Sequence, residues 1–253
     1  MFLEERRQAI LDLVNRRGRV AVADLSDRFD VSEVTIRADL QALADRGVIK
    51  RTHGGAIPSG FGFPELSLVQ RRQQQVEQKA RIAETAAAQV SDGEAIFLDS
   101  SSTVLAILPH IQQRRDLTII TNSLVVAQEM LGLTHITVVM PGGSLHHDTV
   151  SLIDPEGLAL LSRYHIAKGY FGAHGITVED GLTDVSEAEA RVKRPLVRMC
   201  RRAVGLLDAT KWGRTGIASF AAVADMDAIV TDRSAPASMV ADVRAVGVQV
   251  TRV

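Results

Sequence analysis

The sequence has a single cysteine, almost no net charge and no long apolar run. One thiol cannot form an internal disulfide or build a zinc cluster, so Cys200 is predicted to be an ordinary helix residue. The longest apolar stretches, such as "AIFL" and "LTII", are far too short to cross a bilayer. The opening "MFLEERRQAILDLV" carries charges where a signal peptide is apolar, so a cytoplasmic protein with no membrane partner is expected.

The formal net charge of −1 argues against a protein that coats nucleic acid without specificity, so any DNA contact must come from a local patch. With 253 residues and 46% apolar content, the chain can form one small and one medium domain. The segment "GGAIPSGFGFPE" is rich in Gly and Pro, which is typical of a linker. We expect a small domain over residues 1–57, a linker and the start of a connecting helix over 58–74, and a larger domain over 75–253.

Three helices are predicted in the small domain. Apolar residues recur at spacings of three and four in "EERRQAILDLVNRRG", which stops at Gly18, and again in "VAVADLSDRFD". Ser32, a favoured N-cap residue, opens a third helix that ends at Gly47.

The third helix is predicted to have a core face and an exposed face. On a helical wheel Ile36, Leu40 and Leu43 share one narrow sector, which makes this sector the core face. The opposite face carries Val34, Ala38, Gln41 and Asp45, flanked by Thr35 and Arg37. Small, polar and cationic groups near a helix start suit the DNA major groove, although an ordinary solvated face would have the same composition.

The segment "VIKRTHGGAI" follows that helix. Its basic residues Lys50, Arg51 and His53 precede a Gly54-Gly55 turn, which predicts a hairpin that contacts phosphates beside the groove. Three helices followed by a basic hairpin form the winged helix-turn-helix plan.

These residues resemble the N-terminal domain of the DeoR family of bacterial transcriptional regulators. The matching signature is Val31-Ser32, Thr35-Ile36-Arg37, Asp39-Leu40, Gly47 and His53-Gly54-Gly55-Ala56. Many members have a second arginine where this chain has Ala38, and the change removes one possible base or phosphate contact. The expected DNA-contacting residues are Ser32, Val34, Thr35, Arg37, Ala38, Gln41, Lys50, Arg51 and His53.

The larger domain is predicted to be α/β with a mainly parallel sheet. The segment "LSLVQRRQQQVEQKARIAETAAAQVSDG" predicts one long helix that ends at Asp92-Gly93. Short apolar runs such as "AIFLD", "LTIIT", "ITVVM" and "AVGLLD" then alternate with helical patterns such as residues 186–201. Continuous apolar runs bounded by turn signals are typical of strands buried on both faces. In such sheets ligands bind at the carboxyl ends of the strands.

Polar residues follow several of these predicted strands. They are Ser100–Thr103, Thr121–Ser123, Pro141–Ser144, and Asp208 with Lys211. Consecutive hydroxyl groups at a helix start can bind an anion, paired glycines allow close approach to a ligand, and a lysine can meet a phosphate. Plain strand-to-helix turns and a solvated lysine are the alternatives.

This half of the chain also resembles the effector domain of the DeoR family. The matching pieces are Lys79 with "RIAETAA", "FLDSSST", "TNS", "PGGSL", "FGAHGI", "LLDATKWG" and "IVTD". The resemblance implies a fold similar to ribose-5-phosphate isomerase and glucosamine-6-phosphate deaminase, and a phosphorylated sugar or related metabolite as effector. It places the phosphate at Ser101-Ser102-Thr103, Gly142-Gly143 and Lys211, and the polyol at Asp99, Asn122, Asp208 and the segment from Thr183 to Glu187.

Other functions are less well supported by the residues. Asp99, Asp148, Asp184 and Glu187 could act as the base of an isomerase, but nothing in the sequence fixes their geometry. His146-His147-Asp148 lacks an identifiable third metal ligand, and no G-x-G-x-x-G follows any strand, so neither a metal nor a nucleotide cofactor is expected.

The sequence therefore predicts a DNA-binding regulator that represses a carbohydrate-metabolism operon. A phosphorylated sugar or related metabolite would release it from operator double-stranded DNA. A dimer or tetramer is expected, because one small helical domain makes too few base contacts. The alternative is a sugar-phosphate isomerase-type enzyme with an accessory DNA-binding domain.

Overall fold

The structure is a computed structural model that describes residues 3–17, 20–45, 48–52, 54–58, 68–154 and 156–253. The chain divides into two compact units, residues 1–65 and 66–253. Within the described ranges, no helix is both long and apolar enough to cross a membrane. Gly18, Gly47, His53 and most of the predicted linker lie outside the described residues.

The first unit contains three helices and a small antiparallel sheet. Its elements are α1 (Leu3–Arg17), β1 (Val20–Ala21), α2 (Val22–Phe29), α3 (Glu33–Asp45), β2 (Ile49–Thr52) and β3 (Gly55–Pro58). β2 and β3 form the predicted hairpin, and β1 pairs with β3 on its other side. The predicted winged helix-turn-helix fold is confirmed.

The sequence predicts Val20 and Ala21 as the start of the second helix, whereas the structure places them in β1. Gly55 explains the difference. A Cβ atom at this position would lie 1.9 Å from the carbonyl oxygen of Val20, so glycine lets the two strands approach. The amide of Val22 donates to the carbonyl of Gly54 at 2.9 Å and fixes the start of α2.

The core of the first unit is built on the predicted stripe of α3. Ile36, Leu40 and Leu43 are buried together with Ile10 and Val14 of α1. The stripe fixes the rotation of α3, so the opposite face is exposed as predicted.

A buried carboxylate also holds α3 against α1. Asp39 is 1% exposed, and its two oxygens accept from the Nε atoms of Arg6 at 2.6 Å and Arg7 at 2.9 Å. Burying a charge is costly unless it is paired, and here two guanidinium groups pair with it. Asp39 therefore contributes to the position of α3 and not to its exposed face.

The second unit contains most of the helices and strands. Its helices are α4 (Leu68–Arg72), α5 (Val76–Ala87), α6 (Ser102–Leu105), α7 (Leu108–Ile111), α8 (Leu124–Met130), α9 (Glu187–Met199) and α10 (Ala237–Ala245). Its strands are β4 (Ala95–Leu98), β5 (Leu117–Thr121), β6 (Ile136–Val139), β7 (Leu145–His146), β8 (Ser151–Leu152), β9 (Lys168–Phe171), β10 (Gly175–Thr177), β11 (Gly181–Asp184), β12 (Ala203–Leu207), β13 (Ala218–Ala221), β14 (Ala228–Thr231) and β15 (Gln249–Arg252). Short 3-10 helices cover Glu156–Arg163, Ala209–Lys211 and Val223–Asp225.

Seven strands form one parallel sheet in the order β15-β14-β12-β9-β4-β5-β6. The chain runs outward from β4 to β6 on one side and from β9 to β15 on the other, so the order reverses between β4 and β9. In open parallel sheets a crevice opens at the carboxyl ends beside such a reversal. The predicted α/β class with a parallel sheet is confirmed.

Two smaller sheets lie outside the main one. β10, β11 and β13 form an antiparallel sheet, and β7 pairs with β8. In the sheet of β10, β11 and β13, the strand β11 ends at Asp184, and the chain then enters α9. This sheet therefore carries the start of the segment from Thr183 to Glu187, which is predicted to contact a polyol.

Two helix predictions in this unit were wrong. The long helix expected up to Asp92-Gly93 is two helices, because a turn with Gln75 in the left-handed region separates α4 from α5, and α5 ends at Ala87. Cys200 follows α9 and is not inside it. Its thiol is partly buried, which raises its pKa to about 12, so it is an unreactive thiol.

Candidate functional site

The exposed face of α3 begins at a capped helix start. The amide of Thr35 donates to the hydroxyl oxygen of Ser32 at 3.2 Å, and the two hydroxyl groups are 2.9 Å apart. Val34 is 72% exposed, and Arg37, Ala38 and Gln41 are also exposed, whereas Thr35 is half-buried. The structure thus brings the predicted residues of this helix onto one open surface.

A hydrogen-bond chain joins this surface to the hairpin. Arg51 donates to the side-chain oxygen of Gln41 at 2.7 Å, and the amide nitrogen of Gln41 donates to Asp45 at 2.7 Å. Arg37 pairs with Glu33 one turn earlier. Exposed pairs of this kind contribute little stability, so these side chains can exchange partners readily. The side chain of Lys50 lies outside the described residues, as does His53.

In the second unit, Asp99 follows β4 beside the reversal of strand order. It is fully buried, and one oxygen accepts from the amide of Ser101 while the other accepts from the amide of Gly172, both at 2.8 Å. Ser101 in turn caps α6 through the amide of Val104 at 3.2 Å. Ser102 and Thr103 are buried in the first turn of that helix. Asp99 therefore holds the two strand ends and the Ser101–Thr103 loop together.

Lys193 of α9 reaches the same carboxylate, and the sequence did not reveal this. Its ammonium lies 2.9 Å from Asp99 and 2.8 Å from Asp184 and donates to the carbonyl of Gly172 at 3.1 Å. Burial by itself would lower the pKa of Lys193, but the carboxylates of Asp184, Asp99 and Glu189 outweigh burial and raise it. Lys193 therefore stays charged.

Asp184 shares this environment at the end of β11. Burial by itself would raise the pKa of Asp184, but the ammonium of Lys193 outweighs that effect and lowers it. The neighbouring Thr183 is also buried, and its hydroxyl donates to the carbonyl of Gly175 at 3.2 Å and accepts from the amide of Gly216 at 2.7 Å.

Asp208 and Lys211 follow β12, the next strand beyond β9. Asp208 is buried and accepts from the amide and hydroxyl of Thr210 at 3.0 and 2.5 Å. Burial lowers the pKa of Lys211, and Arg214 and Arg71 lower it further, while Asp208 raises it. Lys211 is thus a cation close to other cations.

Lys79 and His174 also interact electrostatically with Lys211, and the sequence places both in matching segments without assigning them a role. The ammonium of Lys79 donates to the carbonyl of Arg71 at 2.5 Å. Burial lowers the pKa of Lys79 to about 8; Asp208 acts to raise this pKa, and Lys211 and Arg71 lower it further. Burial also lowers the pKa of His174, and Lys211 adds to this. We call the five interacting side chains the cationic cluster: Arg71, Lys79, His174, Lys211 and Arg214.

Asn122 follows β5 and is 4% exposed. Its amide nitrogen donates to the carbonyl of Leu152 at 3.3 Å, but its side-chain oxygen accepts no hydrogen bond from any described residue. A buried acceptor without a donor costs about 1–3 kcal/mol. A ligand hydroxyl group could satisfy it.

Gly142 and Gly143 follow β6, and both have positive φ, 81° and 122°. A Cβ atom on Gly143 would lie 2.6 Å from that of Asp154, so only glycine permits this close packing. Beside this loop a cavity of about 430 Å³ is lined by Ser144, Ile153, Asp154, Glu156, Glu187, Ala188 and Arg191. Glu187 is exposed and pairs with Arg194 at 2.6 Å. The cavity brings Glu187 close to the glycine loop, but its lining does not include Lys211.

The His146-His147-Asp148 segment does not form a ligand cluster. His146 contacts the hydroxyl of Thr149 at 2.9 Å. Across the part of the chain that the structure describes, no group of three His, Cys, Asp or Glu side chains is placed to hold a metal ion.

Two family models match the chain. The DeoR-like helix-turn-helix domain matches residues 6–58, and the DeoR C terminal sensor domain matches residues 74–233. Both matches agree with the resemblance inferred from the sequence.

Curated relatives match over nearly their whole length. The HTH-type transcriptional regulator GolR of Listeria innocua is 35% identical over 232 residues, 92% of this chain and 91% of the relative. The HTH-type transcriptional repressor GlcR of Bacillus subtilis is 33% identical over 92% of this chain and 90% of its own. The glycerol-3-phosphate regulon repressor of Escherichia coli is 30% identical over 93% of each.

Among solved structures, ribose 5-phosphate isomerase A of Methanocaldococcus jannaschii matches 55% of each chain with a TM-score of 0.41 and 16% identity. That score is too low to support an argument about activity. The curated relatives are named as regulators and not as enzymes, which supports the regulator prediction over the isomerase alternative. The chain therefore belongs to the DeoR family of helix-turn-helix transcriptional regulators.

Proposed function

We propose that this regulator represses a carbohydrate-metabolism operon and is released from its operator by a phosphorylated sugar or related metabolite. One observation supports the proposal most strongly: a chain with an exposed helix-turn-helix face also has five basic side chains in its sensor domain, four of which interact electrostatically with Lys211 just after β12. The protein acts in the cytoplasm, where DNA and phosphorylated metabolites are both present.

On the DNA side, we propose that α3 enters the major groove. Arg37 and Gln41 then read base edges, while the small side chains of Val34 and Ala38 allow close approach. Ser32 and Thr35 contact phosphates at the helix start, and Lys50, Arg51 and His53 contact phosphates from the hairpin. The domain over residues 1–57 is the DNA-binding domain in this proposal, joined by residues 58–74 to the sensor over 75–253.

On the effector side, the cationic cluster is suited to a doubly charged phosphate group. Burial and mutual repulsion lower the pKa values of Lys79, His174 and Lys211, and a bound anion would relieve both effects. We assign the phosphate to Lys211 and this cluster, together with the Ser101–Thr103 loop and Gly142-Gly143.

The hydroxyl groups of the effector have a separate set of partners in the proposal. The side-chain oxygen of Asn122 lacks a donor among the described residues, so it suits a ligand hydroxyl. Asp208 and the segment from Thr183 to Glu187 complete this set. Asp99 is fully buried and already pairs with two amides and the ammonium of Lys193, so we assign it a supporting role instead of direct contact.

Effector binding and DNA binding are coupled through assembly in this proposal. A dimer or tetramer presents two α3 helices to successive major grooves, and the effector favours an arrangement in which they no longer match. DNA affinity then falls.

The test is fluorescence anisotropy of the full-length protein on DNA from upstream of its own gene, at fixed salt. Inorganic phosphate, sn-glycerol 3-phosphate, D-fructose 1-phosphate and D-glucose 6-phosphate are added in turn. We expect tight, competitor-resistant binding that one phosphate ester weakens, and Lys211→Ala protein that binds DNA but needs more of that ester. Lys168→Ala is the matched control, because Lys168 pairs with Glu94 at the amino end of the sheet. DNA binding that no ester changes would refute the effector assignment, and consumption of an ester would restore the enzyme alternative.

A further inference from the structure

Three separate segments meet at one buried ammonium group. Lys193 is 5% exposed, and it contacts Asp99 after β4, Gly172 after β9 and Asp184 at the end of β11. The ammonium forms ion pairs with both carboxylates and donates a hydrogen bond to the carbonyl of Gly172, so its contacts are with groups of the protein. Its position over the ring of Phe220, 5.0 Å from the centroid, adds contact with β13. Lys193 thus joins the two strands beside the reversal of strand order to the small antiparallel sheet.

Each partner of Lys193 also fixes a segment to which we assign an effector contact. Asp99 accepts from the amide of Ser101 and so holds the Ser101–Thr103 loop. A Cβ atom at Gly172 would lie 2.2 Å from the hydroxyl oxygen of Ser101, so the loop packs directly on this strand end. Asp184 accepts from the amide of Val185 at 3.0 Å, at the start of the segment that leads to Glu187.

We propose that Lys193 is a positioning residue of the sensor, which holds the phosphate-contacting loop and the hydroxyl-contacting segment at the separation that one effector molecule spans. The inference rests on the proposed function. Lys193 has no contact with the effector in this scheme, since its ammonium is buried among groups of the protein. It sets effector affinity because a ligand that must reach both segments is sensitive to small displacements between them.

The partners of Lys193 make its charge necessary. Asp99, Asp184 and Glu189 are all buried, and each raises the pKa of Lys193. Without the ammonium these carboxyl groups would repel one another or take up protons, and the segments they hold would separate. A neutral side chain of similar length therefore removes the link while preserving most of the packing.

The test compares full-length wild-type protein with Lys193→Met. Binding of inorganic phosphate, which can occupy only the phosphate end, and of sn-glycerol 3-phosphate, D-fructose 1-phosphate and D-glucose 6-phosphate is measured by calorimetry. For the ester that the wild type binds best, we expect Lys193→Met to lower the binding affinity by about tenfold or more. The affinities for inorganic phosphate and for operator DNA should be unchanged. Lys168→Met, which removes an ion pair from the amino end of β9, should change none of these values.

If Lys193→Met weakened the binding of inorganic phosphate and of the ester equally, Lys193 would only support the fold. If both proteins bound the ester with the same affinity, Lys193 would have no role in effector binding. Either result overturns the inference. If Lys193→Met does not fold, Lys193→Arg is measured instead, because a planar guanidinium keeps the charge but cannot reproduce three tetrahedral donors, and the same unequal loss is expected. If the wild-type protein bound no ester, the proposed function itself would be refuted. If the wild type bound an ester and Lys193→Met bound it equally well, only the inference about Lys193 would be refuted.

Discussion

The two units of this chain use charged side chains in opposite ways. On the exposed face of α3, Arg37 and Gln41 have partners on the same surface, Glu33 and Asp45, and water can replace either one. In the sensor, Lys193 is enclosed by carboxylates that cannot leave. Exposed pairs contribute little and exchange freely, whereas a buried charge is costly to leave without its partner. The first unit therefore keeps the polar groups of this face available for binding, while the second fixes the charges around Lys193.

Removing a buried carboxylate from the sensor should have the largest effect on stability. In Asp99→Ala protein the ammonium of Lys193 and the amides of Ser101 and Gly172 lose an acceptor. We expect a loss of about 3–5 kcal/mol in the free energy of unfolding. Urea unfolding followed by the fluorescence of Trp212, the single tryptophan, measures it in this unit. Asp148→Ala, at an exposed position, should unfold like the wild type; an equal loss in both variants would contradict the comparison.

The first unit has one exception to the contrast, and it provides the next test. Asp39→Ala removes the buried partner of Arg6 and Arg7, which are themselves only slightly exposed. We expect about 3 kcal/mol of destabilisation of this unit and weaker operator binding, because α3 loses its link to α1. Hydrogen exchange of the α3 amides measures the first effect. In the exposed control Asp27→Ala, the α3 amides should exchange at the wild-type rate. If they also exchanged as slowly as in the wild type in Asp39→Ala protein, apolar packing alone would hold α3.

On the exposed face the expected effect is on binding and not on folding. Arg37→Ala should weaken operator binding by about 1–3 kcal/mol and reduce the dependence of DNA affinity on salt concentration, while the free energy of unfolding stays the same. Anisotropy titrations at several salt concentrations measure both quantities. Arg81→Ala, an exposed arginine of α5, serves as the control for the loss of one charge. Unchanged affinity and salt dependence in Arg37→Ala protein would remove α3 from the groove.

The smallest predicted effect concerns pH. Burial lowers the pKa of Lys79 to about 8, with Lys211 and Arg71 adding to this and Asp208 opposing. A bound phosphate would raise that pKa, so the complex holds more protons than the free protein, and affinity falls as pH rises through about 8. The loss approaches about tenfold per pH unit for one proton. A phosphate ester is already doubly charged above neutral pH, so the ligand adds no slope there.

Calorimetry of ester binding between pH 7 and 9.5 measures this dependence. Lys79→Gln protein should bind the ester more weakly than the wild type, and its ester affinity should change less with pH. The same steep profile in the variant would assign the proton to Lys211, whose pKa is also lowered by burial.

Local patterns explain which parts of the molecule could be predicted from the sequence. The stripe of Ile36, Leu40 and Leu43 fixed the rotation of α3, because helical periodicity depends on neighbouring residues alone. The strand ends were recognisable for the same reason, since a buried parallel strand is a continuous apolar run that stops at polar residues. The break between α4 and α5 was not recognisable, because glutamine has a good helix propensity and Gln75 adopts the left-handed region against it.

Sequence patterns alone predict that a winged helix-turn-helix precedes a parallel α/β domain, and they identify the polar residues that follow the strands. Which charged side chains come together depends on the tertiary structure. Lys79, His174 and Lys211 come from three distant segments, and Lys193 lies on a helix where the sequence gives no sign that its ammonium is buried. Burial and electrostatic interaction depend on distance in space, and the order of strands in the sheet sets that distance.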